Sequence, residues 1–138
     1  MDKSKIHESN LISRDLSWLN FNYRVLDQAK DSKKNVLERL KFQSIVSSNF
    51  DEFFEIRVGS LYNYIDNNKK RFDYCGLREL PFRDHLLGEC QVFFKKFYKN
   101  FCDKIIPEMI KNSIYLGDIE SLDEEGKKKI KKYFKKTI

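Results

Sequence analysis

Residues 47–57 read SSNFDEFFEIR, a dense run of polar and aromatic side chains from which the fold can be worked out. The apolar side chains that begin here recur every three or four residues, the period of one helix face: Phe50, Phe54, Val58, Leu61 and Ile65. Asn49 can cap a helix, and Glu52 follows at capping-box spacing. Because Ser and Asn side chains compete for backbone hydrogen bonds, we expect a bend at residues 47–49 within a helical region from Val36 to Ile65.

Helical patterns also precede this stretch. Ser17 reads as the N-cap of a first helix. The apolar face of that helix would consist of Trp18, Phe21, Val25 and Ala29. Asn35, three residues before Glu38, predicts the start of a second helix, with Leu37, Leu40 and Ile45 among its apolar residues.

After a predicted loop at residues 66–80, which contains Gly76, the helical pattern resumes. Pro81 suits the first turn of a long amphipathic helix that continues to about Lys111. Its apolar side consists of Leu86, Cys90, Phe93, Phe97, Phe101 and Ile105. Residues 114–116 are β-prone and are followed by Gly117. Ser121, three residues before Glu124, predicts a last helix, with Ile130, Tyr133 and Phe134 on its apolar side.

These patterns predict an all-α fold, a bundle of about three to four long helices followed by the start of a second domain. Only 5 glycines and 2 prolines are present, which offers few turns and disfavours a many-stranded sandwich. We place a helical N-terminal domain at residues 1–112. Residues 113–138 would be the truncated beginning of the next domain, because the chain stops within its last predicted helix.

The composition excludes several classes of protein. The 3 cysteines, at positions 75, 90 and 102, form no C-x-x-C pair, which argues against a disulfide framework or a zinc site. We find no apolar signal region and no apolar run of membrane-spanning length, so we expect a cytoplasmic protein. Glycine-rich phosphate loops are absent, and neither His7 nor His85 belongs to a catalytic motif. We therefore expect no catalytic residue in this chain.

The net charge of +6 is concentrated near the C-terminus. The lysines of that segment are Lys127, Lys128, Lys129, Lys131, Lys132, Lys135 and Lys136. Such a basic surface attracts polyanions in general. A solvated helix face is the plainer interpretation of this segment alone.

A few polar side chains could bind a ligand. Asn49 presents a donor and an acceptor that match an adenine edge, although capping a helix is its commoner role. Arg57 could contact a phosphate or form a structural ion pair with Asp51 or another acid, and Arg14 and Arg24 are further candidate anion contacts.

Two carboxylates and two aromatic residues are explained more simply by structural roles than by ligand binding. Asp51 and Glu55 share a helix face and could hold a divalent cation, but acids at a helix start also favour the helix dipole, and we predict no metal site. Trp18 and Phe21 are in phase with the apolar stripe, so we place them in the core rather than on a base-stacking platform.

Three segments together resemble the N-terminal domain of the long-chain polyphosphate kinases. They are residues 15–26, DLSWLNFNYRVL, residues 37–42, LERLKF, and residues 47–58, SSNFDEFFEIRV. The resemblance is close over residues 13–61 and extends to residue 112 only as a helical pattern. Three positions depart from the family's usual residues: Asp15 replaces Glu, Phe50 replaces Leu and Gly59 replaces Ala.

The resemblance implies an enzyme that transfers the terminal phosphate of ATP reversibly to polyphosphate through a phosphorylated histidine, assisted by Mg²⁺. In that family the catalytic histidine and the phosphate- and metal-binding residues lie in two C-terminal domains beyond a head domain. Residues 114–138 would open the head domain. This chain alone would then be inactive, with no cofactor of its own, while the full-length enzyme would use Mg²⁺ and ATP.

The same resemblance implies that Asn49 contacts the base of ATP or ADP, with Arg57, Arg14 and Arg24 as candidate supporting residues. The expected partners are the nucleotide, polyphosphate, the head and C-terminal domains, and further copies of the parent enzyme in a homo-oligomer. Nucleic acid and a transmembrane segment are not expected, whereas membrane association of the cytoplasmic parent stays open.

Two alternatives remain at this point. The domain could serve as a packing and assembly module of the same enzyme without touching nucleotide, with the Phe-rich helix at residues 82–111 as its interface. A stand-alone basic module that binds nucleic acid is the other, and it rests only on the net charge and the lysine-rich C-terminal segment.

Overall fold

The computed structural model describes residues 12–67 and 80–137, and every regular element within these ranges is helical. The all-α prediction is therefore confirmed. Helix α1 spans Arg14–Lys30 and helix α2 spans Val36–Glu52, which continues through a π-helical segment, Phe53–Val58, into helix α3, Gly59–Asp66. Helix α4, Leu80–Asn100, continues through a second π-helical segment, Phe101–Ile105, into helix α5, Ile106–Lys111. A 3₁₀ turn, Ile119–Ser121, precedes helix α6, Glu124–Thr137.

The structure confirms only one of the four predicted helix caps, Ser17, Asn35, Asn49 and Ser121. Asn35 caps α2, since its Oδ1 accepts a hydrogen bond of 2.8 Å from the Glu38 backbone N–H. The first cap is Ser13 rather than Ser17, because the Ser13 hydroxyl accepts from the Asp15 N–H. At α6 the side chain of Asp123 accepts from the Gly126 N–H at 2.7 Å. Ser121, the predicted cap, instead donates to the carbonyl of Asp118.

The predicted bend at residues 47–49 is wrong, because α2 runs unbroken to Glu52. Asn49 does not compete with the backbone there. Its side-chain amide bonds to Asn22 of α1 and so leaves the helical backbone hydrogen bonds intact. The departure from regular helix comes later, in the π-helical segment that begins at Phe53.

Helices α1 and α2 pack as an antiparallel pair along seams with the spacing of a coiled coil. The buried residues of α1 are four and three positions apart in alternation: Asp15, Leu19, Asn22, Leu26 and Ala29. Those of α2 follow the same rule: Val36, Arg39, Gln43, Val46 and Phe50. Polar residues thus take seam positions beside apolar ones, and their hydrogen-bond partners must lie within the bundle.

This phase corrects the predicted apolar faces of both helices. Phe21 is 47% exposed, while Trp18 and Val25 are only half-buried. On α2, Leu37 and Ile45 are exposed. Three of the four residues predicted for the α1 face lie one position before the true seam, because only apolar residues were assigned to the core. Ala29, the fourth, is buried as predicted.

Helix α4 packs against α1 and closes the aromatic part of the core. The ring of Phe93 stacks on that of Phe50 at a centroid distance of 4.6 Å and meets Tyr23 edge-on at 4.7 Å. Trp18 stacks on Phe53 at 4.3 Å. The predicted face of α4 is confirmed, with Leu86, Cys90, Phe93 and Ile105 buried and Phe97 and Phe101 half-buried.

The chain leaves α5 through Ser113, whose φ of 59° is left-handed, and Ile114 packs back on the core. Residues 114–116 form no strand. Helix α6 buries no residue, and Ile130, Tyr133 and Phe134 on its apolar side are exposed. The domain boundary at residues 112–113 stays a prediction. Residues 68–79, with most of the predicted loop, lie outside the described residues, as does the side chain of Ile65.

Candidate nucleotide site

Asn49 is joined to the core by a relay of two side-chain amides. Its Nδ2 donates to Oδ1 of Asn22 at 2.8 Å, and Nδ2 of Asn22 donates to the backbone carbonyl of Trp18 at 3.0 Å. A carbonyl can only accept, so the nitrogen of Asn22 must face Trp18 and its oxygen must face Asn49. Asn22 is 0% exposed, and Asn49 is half-buried at the edge of the helix pair. The relay therefore fixes the orientation of the Asn49 amide.

This orientation leaves part of the Asn49 amide available to a ligand. No side chain or backbone group in the described ranges donates a hydrogen bond to its Oδ1. Nδ2 carries two N–H bonds, of which the contact with Asn22 uses one. An adenine edge needs one acceptor and one donor side by side, which is what these two groups offer. Asn49 does not cap a helix, so its commoner role does not explain its position.

The π-helical segment after α2 places Arg57 at the rim. Phe53 and Val58 are both buried although they are five residues apart, the spacing of a π turn. In a regular α-helix, Arg57 would follow Phe53 onto the core face. Instead its side chain is 29% exposed and its Nη1 lies 3.5 Å from Oδ1 of Asp15 in the first turn of α1. The structure thus pairs Arg57 with Asp15, not with Asp51.

The other predicted arginines lie on the outer surface of α1. Arg14 and Arg24 are both exposed. The guanidinium of Arg24 lies 5.7 Å from the centroid of the Phe21 ring, a cation–π distance. The structure therefore brings Asn49, Asn22 and the Arg57–Asp15 pair onto one helix–helix seam, and places Arg14 and Arg24 outside it.

Asp51 and Glu55 are both exposed, one at the end of α2 and the other in the π-helical segment. Within residues 12–67 and 80–137, no group of three or more His, Cys, Asp or Glu side chains is arranged to hold a metal ion.

A small aromatic cavity of about 200 Å³ opens between α2 and α4. Its lining consists of Val46, Ser47, Phe50, Asp51, Phe93, Phe94, Phe97 and Tyr98. Asn49 is not part of the lining, since it faces α1. The cavity and the amide relay therefore lie on different faces of α2.

Cys90 is the one group in the described ranges whose pKa is clearly shifted. Burial, with smaller contributions from Glu89 and Asp15, raises the pKa of its thiol from 9.0 to about 11. A thiol that stays protonated at neutral pH is a poor nucleophile. Cys90 is therefore a core residue, whereas the thiol of Cys102 is exposed.

Comparison with known proteins assigns the family. A family model described as the polyphosphate kinase N-terminal domain matches residues 11–117. The chain belongs to the polyphosphate kinase N-terminal domain family. It is 36% identical over 127 residues to a polyphosphate kinase of Lactiplantibacillus plantarum, covering 92% of this chain and 18% of that protein.

Further relatives agree. A polyphosphate kinase of Prochlorococcus marinus is 33% identical over 145 residues, which covers the whole of this chain and 19% of the relative. One of Vibrio cholerae is 35% identical over 130 residues, or 92% of this chain and 18% of the relative. The chain thus spans about a fifth of the length of these curated relatives. Among the helices that the structure describes, none is long and apolar enough to cross a membrane.

The analysis of sequence patterns missed Asn22, the partner that orients Asn49. A signal was present, because Asp15, Asn22 and Ala29 are seven residues apart and share one face of a coiled-coil helix. Because two of these three positions are polar, hydrophobic periodicity alone does not identify them as a core face.

Proposed function

We propose that this domain positions the nucleotide in a polyphosphate kinase that transfers the terminal phosphate of ATP reversibly to polyphosphate. The observation that carries the proposal is the oriented amide of Asn49, with an acceptor and a donor left over for an adenine edge. Family membership supplies the reaction class, since the relatives are named polyphosphate kinases.

In the proposed role the domain contributes positioning rather than bond making. Phosphoryl transfer depends on holding donor and acceptor in line and on neutralising charge. Asn49 would hold the base, and Asn22 would keep the Asn49 amide from rotating. Arg57, which is paired with Asp15, would lie at the edge of the same base site. The phosphohistidine, the Mg²⁺ ions and the phosphate contacts would come from other domains, so we expect this chain alone to be inactive.

A titration of the isotopically labelled chain with ATP, followed by NMR, tests the base contact. We expect chemical-shift changes centred on residues 47–52 and on Asn22, and their loss in Asn49→Ala. Asn20→Ala is the matched control, because Asn20 is an exposed asparagine on the same helix as Asn22. Changes that persist in Asn49→Ala would contradict the assignment of this residue to the base.

The assembly alternative is favoured by a separate observation. Phe94 and Tyr98 are 37% and 59% exposed on α4, and their rings stack at 6.3 Å. Exposed neighbouring rings of this kind are common at protein interfaces. Analytical ultracentrifugation distinguishes the two functions. Self-association that ATP leaves unchanged, together with no ATP-dependent shifts at residues 47–52, would favour assembly over nucleotide positioning.

A further inference from the structure

A wide groove lies where the C-terminal end of α1 meets α4 and α5. Its volume is about 720 Å³. The groove is lined by Lys30, Ser32, Arg39, Lys96, Lys99, Asn100, Asp103, Lys104, Pro107, Glu108 and Lys111. From Asn22 to Lys30 the distance along α1 is about 12 Å, at 1.5 Å per residue. The groove is therefore separate from the amide relay, although both lie on the same helix pair.

The lining of this basic groove carries a large excess of positive charge. Arg39 and Glu108 form an ion pair with each other. That leaves five lysines facing a single further carboxylate, Asp103. A concave surface lined by one sign of charge concentrates the electrostatic field and attracts ions of the opposite sign.

Most of these lysines have no partner within the described ranges. Lys30 pairs with Asp27 at 3.0 Å, and the ammonium of Lys96 lies 4.8 Å from the centroid of the Tyr23 ring. Lys99, Lys104 and Lys111 make no ion pair there, and Lys99 and Lys104 are exposed. Their charges are therefore available to an external anion.

Two buried side chains form the floor of the groove, and hydrogen bonds hold both of them in place. Arg39 is 3% exposed, and its Nε donates to the carbonyl of Ala29 at 2.9 Å. Asn100, also buried, donates to Oε1 of Gln43 at 3.0 Å and to the same Ala29 carbonyl at 3.5 Å. These bonds satisfy a carbonyl at the end of α1, which has no partner within its own helix.

The buried guanidinium has further capacity to bind. Arg39 uses Nε for Ala29 and Nη1 for Glu108, and no described residue accepts a hydrogen bond from its Nη2. A guanidinium carries five N–H donors, so at least two remain for an acceptor that enters the groove. A buried arginine of this kind is suited to a phosphate oxygen.

The lining also indicates which polyanion would fit. It includes no Phe, Tyr or Trp, whereas single-stranded nucleic acids are generally bound by stacking bases on aromatic rings. Lys96, Lys99, Lys104 and Lys111 are distributed over about 22 Å of the rod formed by α4, the second π-helical segment and α5. A polyanion that carries a negative charge on every repeating unit and has no bases matches that arrangement.

We propose that the basic groove binds a stretch of inorganic polyphosphate. The choice of polyphosphate rests on the proposed function, while the groove itself rests on its charge, its buried arginine and its lack of aromatic residues. Binding would be multivalent and electrostatic, with the lysines along the walls and Arg39 at the floor as the phosphate contacts.

Equilibrium binding of the 138-residue chain to labelled polyphosphate tests the proposal. The groove variant is Lys99→Gln/Lys104→Gln/Lys111→Gln. The matched control is Lys128→Gln/Lys132→Gln/Lys136→Gln on α6, which removes the same charge from exposed positions. We expect affinity to fall about tenfold or more in the groove variant and to change by less than about threefold in the control. The salt dependence should also weaken, by a slope of about 2 for three lost contacts.

Three results would overturn the proposal. The wild-type chain could show no binding to polyphosphate, or the two triple variants could lose affinity equally, which would indicate attraction to net charge alone. Single-stranded DNA could also bind as tightly as polyphosphate and lose this binding in the groove variant. That result would make the groove a nucleic-acid site. Asn49→Ala should bind polyphosphate like the wild type. A negative result in these polyphosphate experiments would therefore not count against the proposed role of Asn49 in nucleotide binding.

Discussion

At the residue scale, the arrangement of Asn22 and Asn49 shows how a fully buried amide can hold a second, half-buried amide in one orientation. Asn22 has no contact with solvent, so its polar atoms must be satisfied within the protein. The carbonyl of Trp18 and the amide of Asn49 satisfy them, and the order of donors and acceptors allows one orientation. A side chain held in this way loses little further freedom when a ligand binds.

Removal of Asn22 should cost more stability than removal of Asn49. Asn22→Ala deletes a fully buried partner and leaves the Asn49 Nδ2 without its acceptor, so we expect a loss of about 1–3 kcal/mol. Asn49 is half-buried, and water can replace its lost bond in Asn49→Ala. Urea unfolding of the single and double variants should give a favourable coupling of about 0.5–1.5 kcal/mol between the two residues. Additive single effects would show that the amide relay is not formed.

The Cys90 thiol makes a prediction about pH. In the unfolded chain it should ionise near 9.0, and in the folded chain near 11. Between these values unfolding releases a proton, so the free energy of unfolding should fall as the pH rises from 9.0 toward 11. In Cys90→Ala this part of the fall should be absent, whereas Cys102→Ala should retain it. An identical pH profile for Cys90→Ala and the wild type would contradict burial of the thiol.

Single residues differ in how far the sequence predicted their roles. The resemblance of its motif predicts that Asn49 contacts the base, and this stays a prediction, whereas its capping role, inferred from spacing, was wrong. The contact that replaced the cap joins residues 27 positions apart. Local spacing along one helix holds no information about such a pairing, since it depends on how two helices align.

At the element scale, the π-helical segments keep two long helices in phase with the core. In the first, the buried residues change from the three-and-four spacing of α2 to a step of five, from Phe53 to Val58. The second makes the same step from Asn100 to Ile105. A π turn therefore accommodates one extra residue, so that each helix continues and its next buried residue still lies on the core face.

Deletion of one residue from the first π-helical segment tests this role. Removing Ile56, which is exposed, should convert the π turn into a regular α turn, because Val58 would then follow Phe53 by four residues. Val58 would stay in the core, so the free energy of unfolding should change by no more than about 1 kcal/mol. Removing Ser48, an exposed residue of the regular helix α2, should instead rotate Phe50 and Phe53 off the core face by about 100°, at a cost of about 3 kcal/mol or more. Equal losses of stability in the two deletions would contradict a register role for the π turn.

The existence and type of the helices followed from sequence periodicity, but their phase did not. Three of the four residues predicted for the α1 face lie one position before the true seam, because the seam contains Asp15 and Asn22. The face of α4 was predicted correctly because apolar residues occupy almost all of its buried positions. Polar seam residues are therefore the physical reason that one helix was read correctly and another was not.

At the scale of the whole molecule, the helix pair α1–α2 carries two different features along its length. The amide relay and the Arg57–Asp15 pair lie toward the start of α1, and the basic groove lies at its end. If both proposals hold, one rigid helix pair contacts the nucleotide near one end and the phosphate polymer near the other.

The all-α fold and the family were both predicted from sequence, and the structure and the comparisons agree with them. The basic groove was not predicted, because its lysines come from α1, α4, the second π-helical segment and α5 and do not form one run. The lysine-rich segment at residues 127–136 lies on α6, an exposed helix that buries no residue, which agrees with its interpretation as a solvated helix face.

The most direct test of the account is steady-state kinetics of Asn49→Ala in the full-length enzyme to which we propose this domain belongs. Loss of a neutral amide contact of about 0.5–1.5 kcal/mol should raise the KM for ATP about two- to tenfold. The phosphohistidine should still form at saturating ATP, and Asn20→Ala should match the wild type. A KM for ATP that is unchanged in a correctly folded Asn49→Ala enzyme would contradict the assignment of this domain to nucleotide positioning.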